Sequence, residues 1–120
     1  MSEKVEIWRK VRSEKVADCK IFKVRRDYSV RESSGKEHAF YCLENPDWVN
    51  VLAITKDNQV VIIEQFRHGS DDITIEIPGG MVDHGEDSSV AAKRELIEET
   101  GYTPREMISL GKCRPNPAIQ

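Results

Sequence analysis

Between Gly80 and Tyr102 the chain carries a spacing that narrows its possible folds more than any other feature. A glycine is followed after five residues by Glu86, after seven more by Arg94-Glu95-Leu96, then by Glu98-Glu99, Gly101 and Tyr102. The stretch reads first as a helix. Glu86-Asp87-Ser88-Ser89 puts acids and hydroxyls at its start, where unpaired amide groups and the positive end of the dipole favour them. Residues Ala91 to Leu96 are good helix formers, and Gly101 stands where a glycine ends a helix. At about 100° per residue, Glu95, Glu98 and Glu99 fall within roughly 100° of arc. Val90, Leu96 and Ile97 lie on the other side, placed to bury against a sheet.

Three carboxylates on one flank repel one another, because residues three and four apart on a helix are neighbours. Arg94 offsets part of this by pairing with Glu98 one turn on. The remainder calls for a cation, and a set of hard oxygen donors suits Mg²⁺ or Mn²⁺. An acidic helix with no ligand would be a solvated face and nothing more. The full spacing, not the acidity, argues for a site.

A chain of 120 residues is enough for one domain with a modest core. Charged residues make up 32%, with a formal net charge of −3, so no basic surface for a nucleic-acid polymer is expected. No apolar run reaches membrane-spanning length, and Met1-Ser2-Glu3-Lys4 does not open a signal peptide. Cys19, Cys42 and Cys113 are far apart and odd in number, which reads as reduced thiols in a cytoplasmic protein. With His38, His68 and His84 they form no pair at zinc-ligand spacing.

Apolar and β-branched patterning predicts strands over Trp8 to Ala17 and Ile21 to Val30. Ser33-Ser34-Gly35-Lys36 is a turn and His38 to Leu43 a returning strand. After Asn45-Pro46-Asp47 come a strand from Trp48 to Thr55, a hairpin turn at Lys56-Asp57-Asn58 and a buried strand over Val60 to Ile63. A short strand from Ile73 to Ile77 leads into Pro78-Gly79-Gly80 and the helix. A last strand is expected near Met107 to Leu110. The order gives an α+β domain, with a mixed sheet carrying the acidic helix.

At every defined position, Gly80 to Tyr102 resembles the Nudix box, GX5EX7REUXEEXGU with U apolar. Upstream, Glu64-Gln65-Phe66-Arg67 and Glu76-Ile77-Pro78-Gly79-Gly80 resemble the branch of Nudix hydrolases that acts on ADP-ribose and other nucleoside diphosphate sugars. The resemblance implies an α/β/α sandwich over residues 46–120, preceded by a small antiparallel β segment over residues 1–45. It implies Glu95, Glu98 and Glu99 as catalytic residues and as metal ligands, joined by the carbonyl of Gly79, with Glu86 nearby. Arg67 would contact substrate phosphate or ribose, since a guanidinium forks onto phosphate oxygens; Glu76 would orient it or the glycine loop. In the same branch an N-terminal segment packs across a two-fold axis, so a homodimer is expected. The resemblance also implies further strands and a closing helix. The last residues, Asn116 to Gln120, read as loop, and those C-terminal elements are expected to be missing.

Two positions depart from the branch. Where several of its members carry an Arg-Glu pair, this chain has Phe40-Tyr41, which either pack across strands or stack on a base. Trp48 stands where a small residue is common. The expected activity is Mg²⁺-dependent hydrolysis of a nucleoside diphosphate sugar to nucleoside monophosphate and sugar phosphate. A metabolite-binding module without catalysis, and a nucleoside triphosphate pyrophosphohydrolase, are the alternatives.

Overall fold

The computed structural model describes residues 4–120. They fall into two compact units, one formed by the chain up to Asn45 together with Lys112–Gln120, the other by Pro46–Gly111. Within the first unit the amide of Leu43 donates to the carbonyl of Ile119 at 2.6 Å.

In the first unit β1 (Trp8–Asp18), β2 (Lys23–Arg31) and β3 (Glu37–Glu44) form an antiparallel meander in that order. The expected turn at Ser33 to Lys36 closes through Gly35, whose amide donates to Arg31 O at 2.8 Å and whose φ of 65° suits a residue without Cβ. Successive residues of β2 face opposite sides. On one side Arg26 pairs with Glu14, Tyr28 donates to Glu14 at 2.9 Å, and the Arg12 guanidinium lies 3.3 Å over the Tyr28 ring. On the other, Asp27 is only 6% exposed, set by register between Ser13 on β1 and Phe40 on β3. It accepts from Ser13 Oγ and from Arg25 Nε, the latter at 2.9 Å. Trp8 stacks edge-on against His38 and Phe40, at 5.4 and 5.3 Å.

The second unit holds β4 (Trp48–Asn50), β5 (Ile63–Arg67), β6 (Asp72–Glu76), β7 (Gly79–Met81) and the helix α1 (Ser88–Thr100). β4 pairs with β7 and β5 with β6, both antiparallel. Hydrogen bonds from Val51 N to Pro78 O and from Val82 N to Asp47 O extend the β4–β7 pairing at its two ends, at 2.7 and 2.9 Å. The core is small: Val51, Ala92 and Leu96, with Val49, Ala53 and Met107 packed against it. Ala91 is wholly buried, which lets the helix lie close.

Several expectations are corrected. Every strand pairing among the described residues is antiparallel, in place of the mixed sheet, and one helix represents the helical layers. The strand from Trp48 keeps its ladder only to Asn50. Beyond it Thr55 N to Gln59 O and Val61 N to Ala53 O, at 2.9 and 3.0 Å, bracket the hairpin turn with a single bridge between Ile54 and Val60. The next ladder starts at Ile63 rather than running through Val60–Val61–Ile62, where Val60 and Ile62 are about half exposed. Residues 107–110 form no strand; Ile108 and Leu110 are 72% and 82% exposed. On the helix, Val90 and Ile97 are exposed and Leu96 alone of the three is buried, because the two small alanines take the contact face.

Asp27 links the first sheet to pH. Burial pushes its carboxyl up, but the hydrogen bonds from Ser13 and Arg25 and the charges of Arg25 and Lys10 outweigh it and hold the group at about 2. A lowered folded value contributes stability above the unfolded value, near 3.8, and loses it as pH falls towards 2. Asp27→Asn should therefore lower stability by roughly 2 kcal/mol at neutral pH. Thermal melts of the two proteins should converge as pH drops from about 4 to about 2.

Candidate active site

The helix starts and stops on local chemistry. Asp87 caps it, with extended backbone and a carboxylate accepting from Ser89 N at 2.8 Å. Gly101, at φ 75°, closes it in the left-handed conformation, donating its amide to Ile97 O. Between these ends, Arg94, Glu95 and Glu99 face β7, and Arg94 also reaches the loop that precedes the helix.

Arg94 is the organiser of that face. Its Nε and Nη2 fork onto the two oxygens of Glu86, both at 3.0 Å, Nη1 donates to Glu95 at 2.8 Å, and Nη2 also reaches the carbonyl of Met81 at 3.0 Å. Glu98 lies 3.5 Å away and Asp83 3.8 Å. One guanidinium thus ties the loop, the strand and the helix together. Its hydrogen bonds to Glu86 and Glu95 raise its own proton affinity further, so it stays charged at any working pH. Glu86 is held below the usual carboxylate range, first by Arg94 and then by the amide of Asp83.

The three box glutamates have three different environments. Glu95 is tucked beneath Gly80 so closely that a Cβ on Gly80 would collide with its carboxylate. A side chain at Gly80 would force that carboxylate aside. Glu99 accepts from the Gln65 carboxamide on β5 and from the amide of Gly79, both at 3.0 Å. Glu98 points to solvent, its side chain 59% exposed.

A cavity of about 340 Å³ opens over this arrangement, lined among others by Glu95, Glu99, Gly79 and Arg67. The structure brings four of the expected site residues to one place. It leaves Glu98 outside the lining, and Glu76 meets the group through Arg67, whose Nε donates to it at 2.8 Å. Arg67 and Glu76 also border a second cavity of about 780 Å³.

Among the described residues no three His, Cys, Asp or Glu side chains stand close enough to cage an ion as they are. The donor set nevertheless fits a hard divalent cation. Glu95 and Glu99 offer carboxylate oxygens beside the Gly79 backbone, and neither cysteine nor histidine lines the cavity. Arg94, Gln65 and the Gly79 amide now satisfy those oxygens in the way a cation would.

Sequence reasoning passed over Gln65, which fixes Glu99, and Asn50, which projects beside Gly79. The alternation of β5 holds the missing signal. Gln65 and Arg67 are two residues apart on a strand and must share a face.

The NUDIX domain profile matches residues 45–118. Among curated proteins, the chain is 35% identical over 97 residues to a methanol dehydrogenase activator of Bacillus methanolicus, covering 81% of this chain and 52% of that protein. It is 33% identical over 86 residues to an ADP-ribose pyrophosphatase of Bacillus subtilis (strain 168), covering 72% and 46%. The chain thus spans about half the length of these relatives. Among solved structures, that of an ADP compounds hydrolase superposes with a TM-score of 0.83 at 24% identity, covering 98% of this chain and 64% of that one. That likeness concerns the fold. With the box complete from Gly80 to Tyr102 and the profile matching more than half its residues, the chain belongs to the NUDIX domain family.

Proposed function

We propose that this chain carries the site of a Mg²⁺- or Mn²⁺-dependent pyrophosphohydrolase that cleaves a nucleoside diphosphate sugar, ADP-ribose-like, into nucleoside monophosphate and sugar phosphate. The observation that carries this reading is the meeting of Arg67 with Glu95, Glu99 and Gly79 around one cavity. A fixed guanidinium beside two hard anionic donors suits a pyrophosphate: the cation side of the site takes its oxygens, and Arg67 forks onto what remains. The name of the Bacillus subtilis relative, ADP-ribose pyrophosphatase, supports the same substrate class.

In this reading Glu95, Glu98, Glu99 and the Gly79 carbonyl hold the metal, which when bound draws charge from the phosphates. Glu98 has to exchange its contact with Arg94 to join them, and its exposure leaves it free to do so. Water adds to one phosphorus, the bridging oxygen leaves with the other phosphate, and a carboxylate of this set takes the water's proton. Glu76 keeps the Arg67 fork aimed at the cavity. The protein would act as a homodimer, using apolar residues of the first sheet such as Val11 and Val16, which are 39% and 49% exposed.

A second reading has one observation in its favour. The Bacillus methanolicus relative is named as an activator of another enzyme, which fits a module that binds a metabolite and reports it.

Turnover of ADP-ribose by the unsubstituted protein separates these readings, and two substitutions test the site. Glu98→Gln should lower turnover of ADP-ribose by about 100-fold or more and weaken Mn²⁺ binding seen by electron paramagnetic resonance. Turnover and Mn²⁺ affinity equal to wild type would remove Glu98 from the site. Arg67→Ala should raise KM by roughly ten-fold or more with an unchanged melting temperature, and Arg67→Lys should recover only part, since lysine keeps the charge and loses the fork. A KM unmoved in both variants would leave Arg67 with no substrate role.

A further inference from the structure

Trp48 is held firmly and covered poorly. Its backbone is fixed by pairing with Met81 across β4–β7, and the preceding carbonyl of Asp47 takes the Val82 amide at 2.9 Å. Yet the residue is 51% exposed. Asn50, two residues on, leaves the strand on the same side, with its Oδ1 3.0 Å from where a Cβ of Gly79 would sit. An indole and a carboxamide therefore stand side by side on a rigid strand.

The space they face has two halves of different chemistry. The 340 Å³ cavity holds Glu95, Glu99 and Asp83. The 780 Å³ cavity replaces these acids with Asn50 and His68, and its one carboxylate, Glu76, is taken by Arg67. Trp48, Arg67 and Gly79 line both, so the two halves adjoin. A ligand with its phosphates over the acidic half must carry its remaining group past Arg67 and across the indole.

We propose that the larger cavity is the nucleobase site, with Trp48 as the stacking platform and Asn50 reading the edge of the base. This rests on the reading of the acidic half as the pyrophosphate site. A base offers the flat π face that an exposed indole takes without sequence preference. A carboxamide both donates and accepts, as the edge of a purine or pyrimidine requires. A sugar in the same place would lean on carboxylates for its hydroxyls, and the only one present is committed to Arg67. The volume is in the range of small-molecule sites.

The test uses fluorescence of the chain bearing Trp8→Phe, which leaves Trp48 as its only tryptophan; Trp8 belongs to the other unit. Without metal, AMP should quench Trp48 emission saturably, and ribose 5-phosphate, with the same sugar and phosphate but no base, should leave it unchanged. By calorimetry, Trp48→Leu should bind AMP about ten-fold more weakly or worse, and Trp48→Phe should keep most of the affinity. Equal quenching by ribose 5-phosphate would make the cavity a sugar or phosphate site and overturn the proposal. So would no quenching by AMP, or wild-type affinity in a folded Trp48→Leu. Neither ligand contains a pyrophosphate bond, so these results stand apart from hydrolysis. A chain that hydrolyses ADP-ribose but fails the quenching test keeps its activity and loses the base site.

Discussion

The Arg94 guanidinium is the interaction on which the site's geometry depends. Glu86, Glu95 and Glu98 would push their segments apart, and one forked cation holds all three while also taking the carbonyl of Met81. The side chains of Glu86 and Glu95 are each only 14% exposed, and that burial is tolerable because both are paired. Such a pair adds little net stability after desolvation, but removing one partner strands the other. Its contribution is to fix which oxygen stands where. A lysine could supply the charge without the two parallel bonds to Glu86.

Across the cavity the same problem is solved without charge. Glu99 is met by two neutral donors, a carboxamide from β5 and a backbone amide from β7. Gly80, lacking a Cβ, leaves room for the Glu95 carboxylate where it lies. Cation, neutral donors and missing side chain together make a wall where anionic oxygens are close-set and solvated differently.

The first unit uses charge in a looser way. Arg12, Arg26, Glu14 and Glu37 cross-link exposed strands, and pairs of that kind contribute little each and weaken in salt. Asp27 is the exception, because Ser13 and Phe40 flank it and its partners lie within the sheet. The aromatic edge of Trp8, His38 and Phe40 sits on that same side. Phe40 thus packs across strands, while Tyr41, on the opposite face, lies 3.4 Å from Arg26 Nη1 through its hydroxyl.

The sequence alone determined what depends on neighbours along the chain. The helix limits follow from Asp87 and Gly101, whose preferences act within a turn. The pairing of Arg94 with Glu98 one turn on follows from helical spacing, and the meander of the first sheet from alternation and a glycine turn. Tertiary structure decided what depends on partners distant in sequence. Apolar runs did not mark the strand limits: Ile73 and Ile75 lie in β6 yet are 64% and 67% exposed, while the run from Val60 to Ile62 lies outside the ladder. Ladder limits are set by which backbone finds a partner, and hydrophobicity does not encode that. Nor could spacing tell Glu98 from Glu95 and Glu99. All three lie on one flank, and only the approach of Gly80, the reach of Gln65 and the pull of Arg94 assign two to the cavity and one to solvent.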